Sequence, residues 1–193
     1  MIASSLSLTR LQDPILFSGT IRSNLDPFHK HSDNDILAAL LQVQLVHNQS
    51  KNTVENRGQG TYHSNDFSDL SSPISESGGN LSQGQRQLLS IARAIISRPK
   101  IIVFDEATSA VDTATDTLVQ RSIREGFTDS TLIVIAHRLS TIGDFDKIMV
   151  LDNGFMTEFG TPVELWDKQG TFRSMCESSS ESEKEKIRSS IFG

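Results

Sequence analysis

The sequence predicts an α/β fold built around a parallel sheet. Two short apolar runs, residues 101–104 and 131–136, have the length and composition of strands that are buried on both faces. Helical periodicity precedes each run, over residues 82–98 and 113–127. Because a helix lies before each strand, we expect the helices to act as crossovers and the two strands to lie parallel in one sheet.

The composition is that of a globular domain and limits the classes of partner. The chain has 193 residues, enough for one domain with a hydrophobic core, and a net charge of −6. This charge argues against a nucleic-acid surface, which needs a basic patch. The single cysteine, Cys176, forms no internal disulfide and favours a reducing compartment. Because no apolar run approaches the roughly 20 residues that span a bilayer, we expect a membrane role to need a partner or a further part of the polypeptide.

The N-terminal part carries few structural signals. Residues 1–9 are small and polar, and we assign no element to them. Asp13 and Pro14 form a turn signal, which the short apolar run 15–17 follows.

A helix is predicted over residues 32–45, and a polar loop follows it. Ser32 is a good N-cap for this helix. Its apolar face comprises Ile36, Leu40 and Leu41. Residues 49–72 are rich in Asn, Ser, Gly and Asp without periodicity, which predicts a flexible polar loop.

The predicted helix over 82–98 begins with a possible anion-binding site. Ser82 is a good N-cap, Gly84 lets a ligand approach the backbone, and Pro99 ends the helix. Free N–H groups at the positive end of the helix dipole suit a phosphate group. An ordinary capped helix in a tight turn is the plainer interpretation of the same residues.

Two adjacent carboxylates at the end of the 101–104 strand form a second possible functional site. Asp105 can hold a Mg²⁺ ion and Glu106 can orient an attacking water. A solvated pair of surface acids is the plainer alternative. The helix start and the acidic pair, in this order and at this spacing, indicate a functional site far more specifically than either feature alone.

The C-terminal part predicts a hairpin and a well-marked helix start. Strands are expected over 147–151 and 155–159, with an Asp-Asn-Gly turn between them. Residues 161–164 combine a capping box with proline at the first helical position. From Glu177 onward the chain is charged and of low complexity, so we expect a disordered or frayed tail over 179–193.

These motifs resemble the ATP-binding domains of ABC transporters, and especially those of the multidrug-resistance-associated (C) subfamily. Within that subfamily they are most similar to the second nucleotide-binding domain of fungal members. The resemblance is carried by the segments QDPILFSGT, LSQGQRQLLSIARAI, DEATSAVD and AHRLSTI. It covers Gln12 to about Ser178. It implies a P-loop NTPase-like (RecA-type) parallel sheet core over about 99–160 and an ABC helical subdomain over about 18–90, within a partial nucleotide-binding domain of residues 1–178.

The resemblance also implies roles for individual residues toward ATP and Mg²⁺. The signature residues Ser82, Gln83, Gly84 and Gln85 would contact an ATP held by a second nucleotide-binding domain that meets this one head to tail. Asp112 of the D-loop belongs to the same ATP-binding set.

A further set of residues would act beside the domain's own nucleotide. Glu106 would be the general base and His137 would contact the γ-phosphate. Gln12 and Asp105 would hold Mg²⁺, Asp105 through water. The segment after Gln12 would face the transmembrane domains.

One family motif is missing from this sequence. No lysine follows a glycine, so the P-loop pattern GxxxxGK[ST] (Walker A) does not occur. The family's N-terminal β-subdomain is missing with it. We therefore expect a fragment or incomplete gene product that lacks ATPase activity by itself. With part of its sheet uncovered, we also expect it to be prone to aggregation.

Two functional hypotheses follow from this pattern. The first is the ATP-binding and ATP-hydrolysing segment of an ABC exporter, at the cytoplasmic face of the vacuolar or plasma membrane, coupled to transmembrane domains. The alternative is a non-hydrolytic regulatory module that lends its signature motif to an intact ABC domain. A soluble ABC ATPase of DNA repair or translation fits less well, and LSQGQ upstream of DEAT argues against a helicase.

Overall fold

The computed structural model describes the following residues of the chain: 8–11, 14–46, 66–105, 113–136 and 138–193. The chain forms two compact units, Met1–Ile135 and Ala136–Gly193. Most of the predicted polar loop, residues 47–65, lies outside the described residues. None of the helices in the described ranges is long and apolar enough to cross a membrane.

The first unit contains the predicted parallel sheet. In chain order its elements are β1 (Leu8–Leu11), β2 (Gly19–Thr20), α1 (Ile21–Leu25), α2 (Asp33–Gln42), β3 (Pro73–Ile74), α3 (Gln83–Ser97), β4 (Ile101–Asp105), α4 (Thr113–Gly126) and β5 (Thr131–Ile135). The strands β1, β4 and β5 lie side by side in that order.

The register of the sheet confirms the parallel arrangement of the two predicted strands. Ile102 of β4 lies opposite Leu132 of β5, and α4 is the crossover between these two strands. The third strand, β1, also runs parallel to β4, and Leu8 lies opposite Ile101. The sequence did not predict β1, because a four-residue strand next to a polar segment becomes recognisable only from its pairing with β4.

The expected burial of β4 and β5 on both faces is wrong, whereas the expectation of a partly uncovered sheet is confirmed. Ile102 and Phe104 are buried in a core formed with side chains of α3 and α4. Ile133 and Ile135 point to the opposite face and remain 49% and 48% exposed. The helices of this unit therefore cover one face of the sheet, and the strands alternate between buried and exposed positions.

The predicted helix over 32–45 is confirmed as α2, with an earlier end. The Ser32 hydroxyl accepts a hydrogen bond from the Asp35 amide (3.2 Å), and the Asp35 carboxylate accepts one from the Ser32 amide (3.1 Å). This capping box fixes the first turn. The helix ends at Gln42, because Gln44 takes a φ of 58° and the Leu45 amide turns back to the Leu40 carbonyl.

The second unit packs a hairpin against three helices. Its elements are β6 (Ile148–Asp152), β7 (Phe155–Gly160), α5 (Pro162–Asp167), α6 (Thr171–Glu177) and α7 (Glu181–Phe192). The two strands pair antiparallel, as predicted, and positive φ angles at Asn153 (48°) and Gly154 (82°) form the turn between them. The predicted capping box before α5 is confirmed: the Thr161 hydroxyl accepts from the Glu164 amide at 3.2 Å.

The core of this unit lies on one face of the hairpin. It is formed by Ile148, Val150, Leu165, Phe172, Cys176 and Ile187. Burial raises the pKa of the Cys176 thiol to about 11, so this thiol is a packing group rather than a nucleophile. On the other face, Met149 lies opposite Phe159 and Leu151 opposite Met156, and all of these side chains are at least half exposed.

The expectation of a disordered or frayed tail over 179–193 is wrong. These residues form α7, capped by Ser180, whose hydroxyl accepts from the Glu183 amide. Ile187, near the middle of the helix, is only 1% exposed. The low-complexity composition concealed a short apolar stripe that buries against the second core.

Two adjacent leucines of α2 test the assignment of the first core. Leu40 is fully buried, whereas Leu41 is 38% exposed, so its predicted place on the apolar face is wrong. We expect Leu40→Ala to lower the free energy of unfolding by about 2–5 kcal/mol and Leu41→Ala to have a much smaller effect. Urea denaturation of the two variants checks this, and equal losses would contradict the assigned helix face.

Candidate functional site

The predicted phosphate-binding turn begins α3 with a reciprocal capping box. The Ser82 hydroxyl accepts a hydrogen bond from the Gln85 amide (3.1 Å), and the Gln85 side-chain oxygen accepts one from the Ser82 amide (2.9 Å). The helix extends to Ser97, where Arg98 caps it in a left-handed conformation (φ 44°) just before Pro99. The predicted helix over 82–98 and its N-cap are therefore confirmed.

The capping box leaves two backbone amides at the helix terminus for another acceptor. The amides of Gln83 and Gly84 lie in the first turn, where no intrahelical carbonyl can reach them. Ser82 is exposed and Gln83 is partly exposed. No acidic side chain occupies this turn, so the positive end of the dipole suits an anion.

Gly84 has a packing role that the sequence did not indicate. Gly84 is buried, and a Cβ at this position would lie 2.2 Å from the Thr115 methyl group of α4. A glycine therefore allows the first turns of α3 and α4 to pack closely. The predicted role of Gly84, close approach of a ligand, stays a prediction.

Gln85 has a structural role in the described structure. Its side-chain oxygen is occupied by the Ser82 amide. The sequence interpretation placed Gln85 among the ATP-contacting residues, and that contact also stays a prediction.

Two arginines of α3 tie the helix to other parts of the first unit, Arg86 to the preceding turn and Arg93 to a distant segment. Arg86 donates to the carbonyls of Gly78 and Leu81 (both 3.4 Å) and so anchors the turn that leads into α3. The sequence did not indicate this role, because no local pattern shows which carbonyls a side chain reaches.

The second of these arginines, Arg93, lies in a hydrogen-bond network with the segment that follows Gln12. Its guanidinium donates to the carbonyls of Asn24 (2.6 Å) and Ile15 (3.0 Å). Asn24 in turn accepts from the Phe17 amide (2.9 Å) and donates to the Phe17 carbonyl (2.9 Å). Desolvation lowers the pKa of the Arg93 guanidinium. The network holds residues 15–24 against α3.

The described part of the carboxylate pair is Asp105. It is the last residue of β4, lies opposite Ile135 of β5 and is partly buried. The other predicted residues of this group, Gln12, Glu106, Asp112 and His137, lie outside the described residues.

The described residues give only a partial fit to the implied ligands. The amides and hydroxyl at residues 82–84 have the donor chemistry that a phosphate requires. The carboxylate oxygens of Asp105 have the chemistry that Mg²⁺ prefers. Within the described ranges no three His, Cys, Asp or Glu side chains gather into a metal site.

The parallel sheet and its helices form an α/β domain. A family model described as ABC transporter matches residues 7–109, more than half of the chain. The chain therefore belongs to the ABC transporter family, whose ATP-binding domains have the P-loop NTPase fold.

Several curated proteins of fungi and mammals are similar to this chain, and they are transporters of the sub-family C type. An "ABC transporter 7" from Pyricularia oryzae is 47% identical over 184 residues, which is 89% of this chain and 11% of that protein. The "ATP-dependent bile acid permease" of Saccharomyces cerevisiae is 46% identical over 178 residues, 88% of this chain and 11% of that protein. The "ATP-binding cassette sub-family C member 2" of Rattus norvegicus is 50% identical over 164 residues, 85% of this chain and 10% of that protein.

These relatives are much longer than the matched region. The chain spans about a tenth of the length of the curated relatives it matches.

A paired substitution separates the packing role of Gly84 from any ligand role. We expect Gly84→Ala to lower the free energy of unfolding by about 1–3 kcal/mol, because the new methyl meets the Thr115 methyl. Thr115→Ser removes that methyl and keeps the hydroxyl, so the double variant should regain most of the loss in urea denaturation. A Gly84→Ala variant as stable as the wild type would contradict the close approach of α3 to α4.

Proposed function

We propose that this chain is the ATP-binding and ATP-hydrolysing segment of a sub-family C exporter, part of its second nucleotide-binding domain, and that it couples ATP hydrolysis to transmembrane transport. The observation that carries the proposal is the amino terminus of α3, where Ser82 is exposed and two amides are left for an anion. The family match and the transporter names of the relatives support it.

In this proposal the signature turn serves a nucleotide held by a second nucleotide-binding domain, which meets this chain head to tail. The Ser82 hydroxyl and the amides of Gln83 and Gly84 would donate hydrogen bonds to its phosphate oxygens. Gln85 holds Ser82 in place through the capping box, and Asp112 would belong to the same contact. The site thus acts by orienting charge and not by covalent chemistry.

A second set of residues would act on the nucleotide of the chain's own domain. Glu106 would accept a proton from the attacking water, and His137 would donate a hydrogen bond to the γ-phosphate. Gln12 and Asp105 would hold Mg²⁺, Asp105 through a water. Mg²⁺ held there would supply positive charge that offsets the negative charge developing during phosphoryl transfer.

The remaining partners follow from the same proposal. Transmembrane domains of the parent transporter would receive the segment after Gln12, whose Ile15 and Phe17 side chains are largely exposed. The chain would then work at the cytoplasmic face of a vacuolar or plasma membrane. Its net charge of −6 supports a role without nucleic acid.

The alternative function is a regulatory module without hydrolysis, which lends its signature turn to an intact ABC domain. The same α3 terminus supports it, since the signature turn acts on a nucleotide bound elsewhere. The two functions differ in whether Glu106 matters for turnover. Exchange of Glu106 for Gln would abolish turnover in the first case and leave it unchanged in the second.

We predict that the purified 193-residue chain has negligible ATPase activity. The reason is that its sequence contains no GxxxxGK[ST] motif to hold the β- and γ-phosphates. A phosphate-release assay of the wild type and of Glu106→Gln checks this. Robust release that disappears in Glu106→Gln would refute the prediction.

A charge placed at the cap of α3 tests the proposed phosphate contact. Aspartate caps a helix about as well as serine, so Ser82→Asp should preserve α3 while repelling phosphate. In the full-length transporter we expect kcat/KM for ATP to fall at least roughly ten-fold, as like charges a few ångströms apart require.

Thr20→Asp is the matched control, because Thr20 is also an N-cap in a capping box, at α1, with no acidic side chain in the first turn. We expect it to leave kcat/KM for ATP close to that of the wild type. Equal losses in the two variants, or no loss in either, would count against an ATP contact at Ser82.

A further inference from the structure

The helix α7 is polar in sequence but docks through a narrow apolar stripe. Ile187 is buried and Ile191 is partly buried in the second core. The face between them carries Ser190, which is partly buried, whereas the neighbouring Ser189 is exposed. This spacing places Ile187, Ser190 and Ile191 on one side of the helix.

The surface beneath α7 is the turn at residues 138–143. Leu139 and Ile142 pack against the same core as Ile187. Gly143 is buried, and a Cβ there would lie 2.8 Å from the Cβ and hydroxyl oxygen of Ser190 and 3.2 Å from Ile191. The backbone of this turn is therefore in direct contact with α7, and only glycine leaves room for the helix.

The C-terminal half of α7 is also held from its other side. The ring of Trp166 lies 5.8 Å from the Arg188 guanidinium and meets the Phe192 ring edge to face, with the ring centroids 5.8 Å apart. Arg173 of α6 lies 5.2 Å from the Trp166 ring. These contacts fix the part of α7 that covers the turn.

The turn is held by hydrogen bonds between its own residues. The Arg138 carbonyl accepts from both the amide (3.2 Å) and the hydroxyl (2.8 Å) of Thr141. The Leu139 carbonyl accepts from the Ile142 amide at 3.3 Å. A displacement of Ile142 or Gly143 is thus transmitted to Arg138, the residue that directly follows His137 in the sequence.

We propose that α7 is a positioning element for ATP hydrolysis: its Ser190 face sets the position of the turn at residues 138–143, which directly follows His137 in the sequence. This inference rests on the proposed function, in which His137 acts on the γ-phosphate. Ser190 and Gly143 are then positioning residues, which touch neither nucleotide nor water. The family match ends at residue 109, so α7 lies outside it.

The contact offers a clash-and-rescue experiment in the purified full-length transporter. Gly143→Ala places a methyl against Ser190, and Ser190→Gly removes the atoms it meets. Ser189→Gly is the matched control, because it adds the same helix-weakening glycine on the exposed side of α7. Two readouts are taken for each variant: amide hydrogen exchange of residues 181–192, and kcat and KM for ATP.

We expect Gly143→Ala to speed exchange throughout α7 and to lower kcat by about ten- to a hundred-fold, as a small misplacement of an active-site group does, with KM for ATP unchanged. Adding Ser190→Gly should restore both exchange and kcat, and adding Ser189→Gly should restore neither. A general folding defect would instead reduce the fraction of folded protein and leave the kcat of that folded fraction unchanged.

Two results would overturn the inference. Unchanged exchange in α7 of Gly143→Ala would show that the helix does not depend on this contact. Faster exchange with an unchanged kcat would show that α7 docks without positioning the turn for catalysis. If the wild-type transporter hydrolyses no ATP, the proposed function fails and the catalytic part of the inference fails with it, while the exchange data still decide the docking.

Discussion

The first unit depends on the burial of α3. Leu89, Ile91 and Ala92 are almost completely removed from solvent, so the middle of this helix forms the centre of the core beneath the sheet. Its ends and flanks make the specific contacts: Gly84 meets α4, and Arg93 reaches residues 15–24. A helix fixed so firmly in its middle can present a polar first turn without fraying. The hydrophobic effect thus supports a site made only of backbone amides and one hydroxyl.

Local signals in the sequence were sufficient for some elements and insufficient for others. The limits of α3 and the start of α5 were predictable because caps, proline and periodicity act within one turn of the helix. β1 was not predictable, since four residues acquire strand geometry only by pairing with β4. The exposed face of β5 was missed because an apolar run does not reveal how many layers cover it. In α7, two isoleucines four residues apart were hidden among charged neighbours.

In the candidate site, too, some features were predictable from local sequence and others depend on distant contacts. Ser82 could be identified as a cap from the sequence, and the structure places its hydroxyl at the Gln85 amide as a cap requires. The network of Arg93 and Asn24 could not be identified, because the two residues lie 69 positions apart and nothing local links them. The packing role of Gly84 depends on α4, which begins almost thirty residues later in the chain. The roles of Glu106 and His137 are proposed from the family resemblance, which indicates what these side chains do but not where they lie.

The environment of Trp166 has an experimental use beyond packing. The chain contains a single tryptophan, and its ring contacts two guanidinium groups and the edge of Phe192. Because Arg188 and Phe192 belong to α7, lifting this helix would change the polarity and the quenching around the indole. The intrinsic fluorescence of the chain is therefore a built-in optical signal for the docked state of its last helix, available without any label.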